Sequence, residues 1–230
     1  MGKNLIQQRR GKGNTRYRSP SHRFIGKIRY GPLEKREGEV VDIVHSAGKR
    51  TPVAVVKYGD KKEFMIPAEN TCLGQRIMYG SEIGIGNVVN VGSVPEGTRI
   101  FNIERTPGDG GKLCRSPGTS AVVVSRDGDR CVIKLPSKKQ ITIRANCRST
   151  VGVPAGYGKK NKPLMKAGNK HNVLRSVGKL YPKVSGTSMN AVDHPFGGSN
   201  FGKRKTVSRH ASPGRKVGSL SAKKTGKKKR

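Results

Sequence analysis

Acidic residues are scarce in this 230-residue chain: 14 Asp and Glu stand against 48 Lys and Arg, a formal charge of +34. A folded surface holds that charge only beside a polyanion, so a freestanding enzyme is disfavoured and a phosphate-rich partner is expected. Tryptophan is absent and aromatics make up 5%, which implies a thin core and argues against a single-strand binder built on aromatic stacking platforms. Long apolar runs are missing too. The longest are four residues, Val53–Val56 and Ala121–Val124, far short of the ~20 a membrane-spanning helix needs. The N-terminus shows no secretory h-region, and Ile6 stands where myristoylation wants Ser or Thr. Cysteine is used four times, at 72, 114, 131 and 147, with no C-x-x-C pair and no histidine at ligand spacing. Zinc is therefore not expected, and each thiol is read as a small buried hydrophobe.

What is abundant is positive charge, glycine and proline, and the charge is uneven. Residues 1–36 hold 11 cations and one acid, 37–151 hold 17 and 12, and 152–230 hold 20 and one. Only the middle has the balance of an ordinary folded protein. It reads as β: short apolar or alternating runs recur at Glu39–His45, Val53–Tyr58, Glu63–Ile66, Arg76–Tyr79, Val88–Val91, Thr98–Ile103, Ala121–Ser125, Cys131–Leu135 and Gln140–Arg144. Turn residues separate them, as at Tyr58-Gly59-Asp60 and Asp127-Gly128-Asp129. The sharpest break, Thr106–Gly111 (TPGDGG), suggests two small barrels in tandem, with a single larger barrel as the other possibility. Neither flank has the apolar content for a core, so 185–230 is expected to gain order only from phosphate contacts.

Candidate chemistry is thin. Thr106–Leu113 resembles a phosphate-binding loop but has Thr106 at the first glycine position and Leu113 after Lys112, where a hydroxyl would be needed for Mg2+. An interdomain turn that turns its backbone N–H groups and Lys112 toward an RNA phosphate is the better reading. His194, after Asp193, the lone acid of 152–230, is the one residue that invites a catalytic role. It lacks a nucleophile and an orienting partner in sequence, and hydrogen bonding or stacking on RNA is favoured. The strong signal is the set of basic stretches, Arg9-Arg10-Gly11-Lys12, Lys159–Lys162, Lys203-Arg204-Lys205 and Lys227–Arg230, which suit threading between the phosphates of structured RNA.

Several strings in order along nearly the whole chain resemble one family, the large-subunit ribosomal protein usually called L-two, in its archaeal or eukaryotic-cytosolic form. They are QRRGKGNTRYRSPSHR (Gln8–Arg23), RTPVAVVKY (Arg50–Tyr58), TPGDGGKLCRSPGTSA (Thr106–Ala121), KLPSKKQITIRANCRSTVG (Lys134–Gly152), KAGNKH (Lys166–His171), SGTSMNAVDHPFGG (Ser185–Gly198) and SPGRKVG (Ser212–Gly218). The resemblance implies a mainly β protein: a basic N-terminal extension at 1–36, an OB-fold-like RNA-binding barrel at 37–106, an SH3-like barrel at 107–184 and a basic Gly-rich extension at 185–230. It implies a structural, non-enzymatic, primary rRNA-binding protein that supports subunit association, tRNA binding and the architecture around the peptidyl-transferase centre. Expected partners are large-subunit rRNA, neighbouring ribosomal proteins and the small subunit, with no membrane, in the cytoplasmic ribosome. No cofactor or metal is expected beyond Mg2+ belonging to the rRNA. The rRNA contacts would be Arg9, Arg10, Lys12, Arg16, Arg18, His22 and Arg23 in the first string. Further along they would be Lys49, Arg50, Lys112, Arg115, Lys166, Lys170 and His171, then Asn190, His194, Lys203, Arg204, Lys205, Arg215 and Lys216. Bacterial-type members tend to carry a second histidine where Phe196 stands here, which removes any two-histidine proposal. A direct catalytic role for His194 in peptide-bond formation is the alternative.

Overall fold

A computed structural model describes residues 2–32, 36–80, 82–199, 205–217 and 219–220. The chain divides into two compact units, one formed by Ser21–Leu164 and one by the two ends, up to Pro20 and from Met165 onward.

The central unit is one large mixed sheet. Its strands are β1 (Arg36–Val44), β2 (Val53–Tyr58), β3 (Lys61–Met65), β4 (Arg76–Gly80), β5 (Val88–Asn90), β6 (Arg99–Phe101), β7 (Ala121–Asp127), β8 (Arg130–Lys134), β9 (Gln140–Arg144) and β10 (Arg148–Val151). They lie in the order β3-β2-β1-β4-β5-β10-β6-β7-β8-β9. Every pairing is antiparallel except β4 with β5. The expected runs all become strands or parts of them, because alternation lets one face bury while the other stays wet. In β1, Gly38 and Val40 are buried between exposed Glu37 and Glu39, and a bulge at Val40/Asp42 then shifts the register. Two-residue turns close β2–β3 and β7–β8, with Gly59 and Gly128 at φ 55° and 51°.

Apolar burial divides between β4 and the far side of β5. One cluster packs Tyr30, Val40, Ala54, Val56, Met65, Ile77, Tyr79 and Val88. Another packs Val89, Val91, Ile100, Ile103, Val123, Cys131, Ile133, Ile143 and Cys147. A third gathers Ile28, Val53, Ile66, Ala68 and Phe101. The expected boundary at 106/107 does not coincide with this division, for a visible reason. Ile103 bridges Leu113 in antiparallel fashion, so Thr106–Gly111 is a loop within the second cluster. Its conformation needs glycine: Gly110 and Gly111 have φ 80° and 87°, and a Cβ on Gly111 would lie 2.6 Å from the Asn102 carbonyl oxygen.

A buried ion pair fastens the same loop. Glu104 is fully buried and Arg148 nearly so, with Arg148 Nη2 2.8 Å from Glu104 Oε1. The carboxylate also accepts the Gly110 and Arg148 N–H groups at 3.0 and 2.9 Å, and Arg148 Nη1 donates to the Gly31 and Pro32 carbonyls at 2.8 and 3.0 Å. Arg36 plays a parallel part on the first cluster: it binds Glu63 through both terminal nitrogens, at 2.8 and 2.7 Å, and stacks over the Tyr58 and Tyr79 rings.

The second unit holds α1 (Ile6–Gly11), α2 (Ala167–Ser176) and a short parallel pair, β11 (Thr206–Val207) with β12 (Ser219–Leu220). The Lys3 N–H donates to the Val192 carbonyl at 2.7 Å, so the two chain ends share one unit. α2 went unforeseen because none of its residues is buried, so no apolar periodicity marks it. The thiols require a correction: Cys131 and Cys147 are buried, but Cys114 is half-buried and Cys72 exposed, because Cys72 sits in a turn.

Candidate nucleic-acid interface

Short elements with few carboxylates set out the cations of the terminal unit. α1 carries Arg9 and Arg10 in its last turn, half-buried and exposed, and the following turn exposes Lys12, Arg16 and Arg18. Lys166 precedes α2, and Lys170 and His171 project from it, all exposed; Lys170 Nζ lies 5.1 Å from the Tyr181 ring centroid. Lys205 is half-buried before β11, and Arg215 and Lys216 are exposed. Lys203, Arg204 and Lys227–Arg230 lie outside the described residues. Among the described residues, every ion pair belongs to the central unit. The terminal cations are thus available to phosphate.

In the central unit, His22, Arg23, Arg50 and Lys112 are exposed. Lys49 and Arg115 are half-buried and close enough to repel. Burial first, then Arg115, pushes the Lys49 ammonium below its ordinary value. Burial likewise lowers the Arg115 guanidinium, against smaller opposing effects of Tyr30 and Asp109. Arg115 is also a tie within the fold, since its Nη2 donates to the Ile28 carbonyl at 2.7 Å and its Nη1 to Gly111 at 3.1 Å. Two cations drawn together and partly out of water form a site that an anion would relieve.

His194 departs from the expectation of an RNA-facing ring. It is 4% exposed. Its Nδ1 accepts the Phe196 N–H at 3.0 Å, which leaves the proton on Nε2 to donate to the Gly214 carbonyl at 2.9 Å. Gly186 packs against the ring so closely that a Cβ there would lie 2.5 Å from it. With both nitrogens engaged, the ring has no lone pair for a substrate proton and no edge for a base. It acts as a tie instead, pinning the Ser212–Lys216 turn that sets out Arg215 and Lys216. Asn190 is exposed, while its carbonyl accepts the Asp193 and His194 N–H groups at 3.0 and 3.2 Å.

Two further cations of the central unit, Lys27 and Arg29, belong to none of the basic stretches. They are exposed in alternation with buried Ile28 and Tyr30, and the pattern Lys-Ile-Arg-Tyr is the signal the sequence offers. Among the described residues no cluster of His, Cys, Asp or Glu could hold a metal ion, and no helix is long and apolar enough to cross a membrane.

Known proteins bear directly on this arrangement. The family described as Ribosomal Proteins L2, C-terminal domain, matches residues 84–216. The start of that match lies close to the division between the two larger apolar clusters. The large ribosomal subunit protein uL2 of Methanothermobacter thermautotrophicus is 49% identical over 239 residues, covering 99% of both chains. The proteins of the same name from Methanococcus maripaludis strain C6 and Methanosphaera stadtmanae are each 47% identical, over 240 and 239 residues, with 99% of this chain and 100% and 99% of theirs covered. Free cations at both ends, a mainly β centre and full-length identity near one half agree: the chain belongs to the uL2 family of large-subunit ribosomal proteins, structural rather than catalytic.

Proposed function

We propose that this chain is a primary rRNA-binding protein of the large subunit in the cytoplasmic ribosome. Two small barrels, OB-fold-like and SH3-like, position it, and the basic ends at 1–36 and 185–230 enter the RNA and screen repulsion between helices. The reading assigns rRNA contact to the exposed cations already named and, in the centre, to a phosphate seated against Lys49 and Arg115. His194 contributes by holding the Arg215 and Lys216 turn in place. Through these contacts the chain supports subunit association, tRNA binding and the architecture around the peptidyl-transferase centre, with neighbouring ribosomal proteins and the small subunit as further partners. The observation that carries the reading is the segregation of charge: among the described residues, the terminal unit's cations make no ion pair and the ion pairs lie in the centre.

The test uses the full chain with Arg10, Lys12, Arg16 and Arg18 all replaced by Gln. Binding to a folded large-subunit rRNA fragment is titrated with salt. Each lost phosphate contact lowers the slope of log affinity against log salt by ~0.7 to 0.9, so the slope should fall by about three. An unchanged slope would remove the N-terminal segment from the interface.

A further inference from the structure

One end of the central sheet inverts the character of the chain. Segments 37–45 and 66–87 contain five carboxylates, Glu37, Glu39, Asp42, Glu69 and Glu82, and a single Lys or Arg, Arg76. Arg76 is occupied by Glu37 at 3.3 Å. The same segments expose four large aliphatic side chains: Val41 at 45%, Leu73 at 62%, Ile83 at 46% and Ile85 at 66%.

These residues are held together by backbone and by one amide. The Gly74 N–H donates to the Val40 carbonyl at 2.8 Å and the Val40 N–H to Gln75 at 2.9 Å, which sets Leu73 beside the Val41 bulge. Gln75 Oε1 accepts the Cys72 N–H at 3.2 Å while its Nε2 donates to the Ile85 carbonyl at 3.3 Å, so one side chain spans the two turns. Asn87 fixes the second turn, donating to the Glu82 carbonyl at 3.3 Å and accepting the Met78 N–H at 3.1 Å. Glu39 lies nearby, its Oε1 3.8 Å from where a Gly74 Cβ would stand, but Lys57 on β2 and Arg76 on β4 stand opposite it, so the uncompensated carboxylates of the rim are Asp42, Glu69 and Glu82.

Phosphate is repelled by such a rim, and apolar side chains gain nothing from a solvated RNA backbone. Exposed apolar residues grouped within a polar rim mark a protein contact. The sign of the rim selects the partner. We propose that the Val41–Leu73–Ile83–Ile85 face docks a lysine- and arginine-rich polypeptide of the same particle, which seats an apolar side chain among the four while its cations meet Asp42, Glu69 and Glu82. Because family membership already places the chain in the large subunit, this docking does not depend on how its cations divide the rRNA.

The test replaces Leu73, and separately Ile85, by photoreactive p-benzoylphenylalanine in the full chain, with Val124 on β7 as an exposed control. Large subunits that have incorporated the chain are purified and irradiated, and yields are normalised to incorporated chain. The expected product from positions 73 and 85 is a polypeptide adduct whose linked peptide carries net positive charge. Adding Glu69→Lys and Glu82→Lys should cut the yield about tenfold, and Glu69→Gln with Glu82→Gln should cut it in the same direction by less. An adduct to rRNA, an adduct to a neutral or acidic peptide, a yield no greater than at position 124, or a yield indifferent to charge reversal would each overturn the proposal.

Discussion

In the central unit, Arg36, Arg115 and Arg148 donate to carboxylates or to backbone carbonyls of distant segments. In the terminal unit, Arg10, Arg16, Arg18 and Arg215 reach solvent from short helices and turns. The residue type is the same and the consequence is opposite. A guanidinium surrounded by buried surface must satisfy its donors inside, and it then serves as a fastener of strands and loops. One on a thin segment with no carboxylate at hand stays available, and its free energy is realised only when a phosphate arrives. The contrast is therefore set by how much apolar surface surrounds the cation.

The sharpest way to break that contrast is at Arg148. Arg148→Ala strands the Glu104 carboxylate in a fully buried position, and the full chain should lose about 3 to 5 kcal/mol in denaturant unfolding. Recovery in Arg148→Met with Glu104→Leu would show that the pair specifies the loop more than it stabilises it. A smaller loss is expected in the terminal unit. His194→Ala leaves the Phe196 N–H without its acceptor, a cost of about 1 to 3 kcal/mol, read as faster amide exchange at Phe196. Subunits that have incorporated the variant should keep the normal pH dependence of peptide-bond formation, because the buried ring, with both nitrogens engaged, exchanges no proton with a substrate.

Thiol chemistry sharpens the comparison by burial alone. Alkylation of the native chain at neutral pH should modify Cys72 first. Burial pushes the Cys114 thiol up to about 11 and raises Cys131 and Cys147 as well. Since the folded state keeps these protons after the unfolded chain has released them, stability should fall as pH climbs from the ordinary thiol value near 9 toward 11. Buried Tyr30, Tyr58 and Tyr79, also raised, act in the same direction at the upper end. A stability profile that is flat or rises across that range would contradict the burial of these groups. The smallest effect is predicted where charge is densest. Exchanging Lys166, Arg215 and Lys216 for Gln should shift the unfolding midpoint by no more than the equivalent of about 0.5 kcal/mol, because among the described residues no carboxylate pairs with them.

Much of the centre was legible in the sequence. Alternation in Val53–Tyr58 and Cys131–Leu135 and the two-residue turns at Gly59 and Gly128 follow from local chemistry, and the strands formed there. β10 was not foreseen: Arg148–Val151 is buried throughout, and its first three residues are polar. Its burial depends on Glu104 and on Tyr30, whose hydroxyl meets Thr150 at 2.7 Å, and neither is a sequence neighbour. The Thr106–Gly111 turn was read correctly as a turn and placed at a boundary the apolar clusters do not share, because a strong turn signal marks only where the chain reverses.

The site divides the same way. Sequence alone determined the partner class, since +34 with the excess at the ends is a property of composition that no folding alters. Only tertiary structure decided which basic residues are free to act on that partner. His194, Arg115 and Arg148 find their partners 20, 87 and 117 residues away. Hydrogen-bond donors are spent on whatever the fold brings within 3 Å, and chain order does not say what that will be.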